Sequence, residues 1–156
     1  MAQDGAERAG AAGSPIVREV RIDAAPETVF EFFVDPEKLV RWKGRAASLD
    51  GRPGGVYRVD ISPRDVVRGE YVVVDRPRRV VFTWGWEGHD AVPPGSSTVE
   101  IDLTPDGDGT LIRLTHRDLP PDALESHVAG WEHYLPRLAT VTAGGDAGPD
   151  PFGEQM

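Results

Sequence analysis

The side chains best suited to chemistry are four histidines, His89, His116, His127 and His133. Imidazole titrates near neutral pH, so it can act as acid, base or metal ligand. Spacing sorts them. His127 and His133 stand six apart in a helical pattern and project from different sides, so they cannot chelate together as an i, i+4 pair would. His116 lies on the inward face of a strand, beside His127 if the last helix packs on that strand. These two are the candidate acid/base or ligand-polar pair. The competing reading is two buried histidines satisfied by their neighbours.

Other motifs reduce to structure. The chain has no cysteine, which excludes thiolate metal sites, cysteine nucleophiles and disulfides. Asp106-Gly107-Asp108-Gly109 lacks the ligand run and terminal Glu of a calcium loop and reads as a hairpin turn. Arg52-Pro53-Gly54-Gly55 lacks the strand-before, helix-after setting of a phosphate cradle. Ser96-Ser97 begins a strand, and nothing resembles a nucleophile elbow. Glu87, Glu100 and Asp102 read as a solvated face. No catalytic residue, metal site or cofactor is assigned.

Aromatic residues carry the stronger signal. Trp84 and Trp86 stand two apart and share one face of a strand. Trp131 and Tyr134 belong to the C-terminal helix. Such a set can fill a core or line a cavity, and periodicity alone does not separate the two.

The elements that must position these groups follow from pattern. Residues 16–22 alternate apolar with charged, as a half-buried strand does. A helix opens at Pro26 with Glu27 in its first turn. Asp35 caps a second short helix at Pro36, so the two form a bent pair. The period then becomes two: residues 56–61, 67–74, 79–86, 97–103 and 110–116 read as strands joined by Gly/Pro turns, an antiparallel meander. Tyr71-Val72-Val73-Val74 run together, which allows a bulge. The final helix starts at Pro120-Pro121-Asp122 and carries Leu124, Val128, Trp131, Leu135 and Leu138 as an apolar stripe. Pro136 within it predicts a kink near Glu132.

At 156 residues the chain is one domain's worth. A formal charge of −9 disfavours nucleic acid and anionic membrane surfaces. No apolar run approaches the ~20 residues of a membrane span, and the first residues carry no signal-peptide core. The expectation is a cytoplasmic protein with disordered tails at 1–14 and 144–156 around a domain at 15–143.

The motifs Ala25-Pro26-Glu27-Thr28-Val29-Phe30, Arg52-Pro53-Gly54-Gly55-Val56-Tyr57-Arg58, Arg78-Arg79-Val80-Val81-Phe82-Thr83-Trp84, Thr110-Leu111-Ile112-Arg113-Leu114-Thr115-His116 and Gly130-Trp131 carry a family resemblance. In element order and in these motifs the chain resembles the START-like (SRPBCC, birch-pollen-allergen-like) superfamily. Within it, the likeness is to the branch of the C-terminal domain of the heat-shock-protein-90 ATPase activator. The resemblance implies an α+β helix-grip fold, a curved antiparallel sheet wrapped around the C-terminal helix, with an apolar cavity between them. Members bind lipids, sterols, polyketides or other apolar molecules, and a few are cyclases or hydrolases. The co-chaperone role belongs to members that carry a separate chaperone-binding domain ahead of this one.

The reading is therefore non-catalytic binding of a hydrophobic small molecule (lipid, polyketide or aromatic) between sheet and helix. Its expected wall is Tyr57, Phe82, Trp84 and Trp86 from the first strands and Ile101, Leu114 and His116 from the last. His127, Trp131 and Tyr134 complete it from the helix. One alternative is a protein-interaction module related to the chaperone activator, with a chaperone as partner. Another is a cyclase or hydrolase using His116 and His127.

Overall fold

The computed structural model describes residues 14–148 and 150. The expected N-terminal tail up to residue 13, and residues 149 and 151–156 of the expected C-terminal tail, lie outside the described residues.

Strand β1 (Ile16–Ile22) is followed by helix α1 (Pro26–Val34) and a single-turn helix α2 (Pro36–Leu39). Proline opens both helices, and the Asp35 carboxylate caps α2 by accepting from the Glu37 backbone N–H at 2.9 Å. The meander comprises β2 (Ala46–Leu49), β3 (Val56–Asp60), β4 (Val66–Asp75), β5 (Arg79–Trp84), β6 (Ser97–Asp106) and β7 (Gly109–Arg117). A 3₁₀ turn at Pro121–Ala123 leads into α3 (Leu124–Thr142), which is continuous through Pro136. The seven strands form one curved antiparallel sheet in the order β1-β7-β6-β5-β4-β3-β2. Closing β1 onto β7 places the first strand beside the last, with Ile16 opposite His116.

Alternation sets the inner face. Val80, Phe82 and Trp84 of β5, Val99, Ile101 and Leu103 of β6, and Ile112, Leu114 and His116 of β7 are all buried. Helix α3 covers them with His127, Trp131, Tyr134, Leu135 and Leu138. In β4 the register shifts between Tyr71 and Val73, the bulge that the unbroken apolar run allows. Tyr71 turns inward and its hydroxyl donates to the Phe33 carbonyl at 2.7 Å, tying the sheet to the end of α1.

Part of the segment that composition assigns to a C-terminal tail lies along α3. Arg137 donates to the carbonyls of Ala147 at 3.1 Å and Gly148 at 2.8 Å. The Asp150 carboxylate accepts from the Tyr134 hydroxyl at 2.8 Å and from His133 at 2.9 Å. These contacts are polar, so apolar content does not register them.

Tyr71→Phe removes a buried hydrogen bond without changing shape. It should lower stability by about 1–3 kcal/mol, read as a shifted midpoint in urea unfolding.

Candidate functional site

A cavity of about 420 Å³ opens between the strand face at Trp84, the loop after β5 and the first turns of α3. Two glycines shape its border, one by close backbone approach and one by leaving space. Gly85 runs so close to Pro93 that a Cβ would stand 1.8 Å from its carbonyl oxygen. The close approach holds the loop that carries Trp86, His89, Ala91 and Val92 to the wall. On α3, Gly130 lies between His127 and Tyr134 on the same face, and a Cβ there would meet nothing within 4 Å.

Of the expected wall residues, Trp84, Trp86, His127, Trp131 and Tyr134 line the cavity. Tyr57, Phe82, Ile101, Leu114 and His116 do not. They stand behind the wall, fully buried. Tyr57 stacks on Phe82 at 4.1 Å, and His116 lies edge-on to Trp84 at 5.4 Å and to Trp131 at 6.0 Å. Facing inward on a strand makes a residue buried; it does not bring it to the void.

The histidines do come together, with ring centroids 5.3 Å apart. Their nitrogens are already engaged. Trp131 Nε1–H donates to His116 Nδ1 at 3.0 Å, so the His116 proton sits on Nε2. Nε2–H then donates to Ser97 Oγ at 2.9 Å, and Ser97 passes its own proton to the Trp84 carbonyl at 2.8 Å. His127 holds the opposite tautomer: Nε2 accepts from Trp86 Nε1–H at 3.0 Å, and Nδ1–H donates to the Ala123 carbonyl at 2.8 Å. Burial, then the neighbouring His127 and Lys43, push His116 down to about 2. Burial lowers His127 as well, with Lys43 adding to it against the Ala123 hydrogen bond. Both rings are neutral acceptors for indole N–H groups, with no free nitrogen for acid/base work.

The residue that sequence reasoning missed is Lys43. It is 1% exposed, yet it borders the cavity. Its Nζ sits 4.0 Å from the Trp84 ring centre, 4.5 Å from Trp131, 5.6 Å from Trp42 and 5.8 Å from Tyr57. Its one hydrogen bond among the described residues is to the Tyr57 hydroxyl at 3.3 Å. Local structure forces the side chain inward. Trp42 and Lys43 continue the last turn of α2 through hydrogen bonds to Leu39. Gly44, at φ +84°, then turns the chain into β2. Trp42 is held by the Phe32 carbonyl, and its own carbonyl accepts from Arg137 of α3. Burial without a carboxylate pushes the Lys43 amine well below the ordinary lysine range. The indole faces oppose that shift by only about 2 kcal/mol. A signal was present: only two of the 17 Lys and Arg residues are lysines, Lys38 and Lys43. One of them directly follows the buried Trp42.

Among the described residues no three His, Asp or Glu side chains gather as a metal site, and no helix is long and apolar enough to cross a membrane.

A curved sheet gripping a long helix over an aromatic cavity defines the helix-grip class. The sequence profile of the family described as "Activator of Hsp90 ATPase homolog 1-like protein" matches residues 23–143. The chain belongs to that family, within the START-like superfamily. An AHSA1-like protein from Rhizobium etli is 44% identical over 92% of this chain and 90% of its own, with a TM-score of 0.72. CalU16 from Micromonospora echinospora is 30% identical over 88% of this chain and 77% of its own, also at 0.72. DynU16, a protein in the dynemicin biosynthetic locus, is 25% identical over 88% of this chain but only 51% of its own, with a TM-score of 0.75. Comparison with curated proteins returned no match.

Two stability measurements test the electrostatics. The folded His116 pKa lies below the unfolded value of ~6.5, so the unfolded state takes up the proton first as pH falls. Stability should decline below about pH 6.5 with a slope approaching ~1.4 kcal/mol per pH unit. His116→Gln, measured by urea unfolding across that range, should show a shallower slope.

Lys43 has the same sign in the alkaline window: its folded pKa is lowered, so stability rises as pH climbs toward ~10. Lys43→Met should gain about 1 kcal/mol or more at neutral pH and lose that rise.

Proposed function

We propose that this protein binds a hydrophobic small molecule, a lipid, polyketide or aromatic compound, between the sheet and α3. The observation that carries the reading is the cavity of about 420 Å³ walled by Trp84, Trp86, Val92, Trp131 and Tyr134. That size and lining match pockets that enclose small apolar ligands. Trp84, Trp86, His127, Trp131 and Tyr134 are the proposed contact residues; Tyr57, Phe82, Ile101, Leu114 and His116 support them from behind. The histidine tautomers favour binding over turnover, because each ring nitrogen already serves an indole, a hydroxyl or a carbonyl. A similar protein belongs to a biosynthetic locus, which fits a small-molecule ligand.

The family description makes a chaperone the alternative partner. Docking through an apolar face finds little support: the exposed large hydrophobics among the described residues are Val17, Val56 and Val72.

The test is occupancy of the cavity. The neutral fluorescent probe N-phenyl-naphthylamine should bind the wild-type protein and quench its tryptophans. Gly130→Phe should place a ring in the void and abolish the signal. Gly130→Ala should keep binding and add about 0.5–1 kcal/mol of stability, since glycine is a poor residue in a helix interior. Equal probe binding by wild type and Gly130→Phe would reject the cavity as the site.

A further inference from the structure

Lys43 is the one group at the cavity whose position the binding reading leaves unexplained. An apolar container needs no amine, and lysine is costly to bury. Its Nζ lies against Trp84 at 4.0 Å and Trp131 at 4.5 Å and has one hydrogen bond among the described residues, to Tyr57. No ion pair with it occurs among the described residues. An anionic ligand could fill that role, but charge argues against one. Asp65 and Asp122 line the cavity, and the chain carries a formal −9. A carboxylate or phosphate would enter against that field. A neutral carbonyl compound would not.

We infer that the cavity captures an apolar or aromatic aldehyde or ketone reversibly, through an imine to Lys43 Nζ; this rests on the ligand-binding reading above. Desolvation lowers the pKa of the amine and so raises its unprotonated, nucleophilic share. Its lone pair forms a C–N bond to the carbonyl carbon while the C=O π pair moves to oxygen. Two protons pass from nitrogen to that oxygen, one in each stage, and the C–O bond breaks to release water. The imine C=N remains. The Tyr57 hydroxyl, 3.3 Å from Nζ, is in reach to relay a proton. If the product is protonated, its planar cation lies against the two indole faces that now flank the amine. The site thus suits the product as well as the nucleophile.

The test uses naphthaldehyde with cyanoborohydride at neutral pH, on the full chain. Intact mass should show one main adduct, equal to the aldehyde less one oxygen atom, and peptide mapping should place it on Lys43. Labelling there should outpace Lys38 at least tenfold, roughly the gain in neutral amine for each unit of lowered pKa. Lys43→Met should lose the adduct. Gly130→Phe should lose it too, with Lys43 intact, so the result does not depend on how the Met variant folds. Naphthalenemethanol, which cannot form an imine, reports binding alone. If the alcohol binds while the aldehyde labels only Lys38 or the α-amine, the imine is rejected and the binding reading survives. If neither compound binds or reacts at Lys43, both readings fail.

Discussion

A tryptophan buried between a sheet and a helix brings one N–H that cannot be left bare without cost. This protein encloses several indoles in one place, and the acceptors they find set the geometry of everything nearby. Trp131 of α3 donates across the grip to His116 of β7, so helix and sheet are joined by a directed bond inside the apolar layer. Trp86 donates the other way, from the loop after β5 to His127 of α3. Trp42 donates to the end of α1. Sheet, helix, loop and the α1–α2 corner are thereby fixed around one point. Trp84, at the centre, has no acceptor for its own Nε1 among the described residues. It is held instead by rings: Trp86 edge-on at 5.7 Å, His116 at 5.4 Å and Trp131 tilted at 5.3 Å.

Neutral imidazole suits this task because it presents one acceptor and one donor at once. A protonated ring would face an indole N–H with a second N–H, so the hydrogen bonds and the burial oppose charge together. Lys43 adds to that opposition, since any positive charge on its amine beside both rings would make another unfavourable. Among the described residues none of the three bases is ion-paired with a carboxylate, although Asp65 and Asp122 line the same cavity. The usual logic of a histidine pair as acid and base is inverted here: the rings act as struts, each nitrogen committed to a neighbour.

Much of the scaffold was legible because it follows periodicity. The alternation in residues 79–86 and the stripe through Trp131 predicted facing tryptophans, and the bulge near Tyr71 was implied by a run of apolar residues on both faces. The resemblance supplied the grip that periodicity could not. Strand β2 was missed because Ala46-Ala47-Ser48-Leu49 has neither alternation nor β-branched residues; its pairing with β3 makes it a strand. Five expected wall residues proved to be core, since strand pattern reports burial and not distance from a void. Lys43 was hidden for a different reason. Lysine is read as surface by default, and its inward course depends on a positive-φ glycine and an arginine from a helix some ninety residues away in the chain.

The same comparison of costs explains why the cavity stays open. Apolar side chains collapse into a void wherever they can move, yet Trp86, Trp131 and Tyr134 around this one are tethered at their polar ends, and Trp84 is braced by the rings beside it. Along α3 the wall is formed by Ser126, His127, Trp131 and Tyr134, and the one position there without a side chain is Gly130. Glycine in a helix interior costs about 1 kcal/mol relative to alanine, and nothing within 4 Å of its would-be Cβ demands it. Backbone approach or steric conflict cannot account for that glycine. What it preserves is volume in the cavity that it lines.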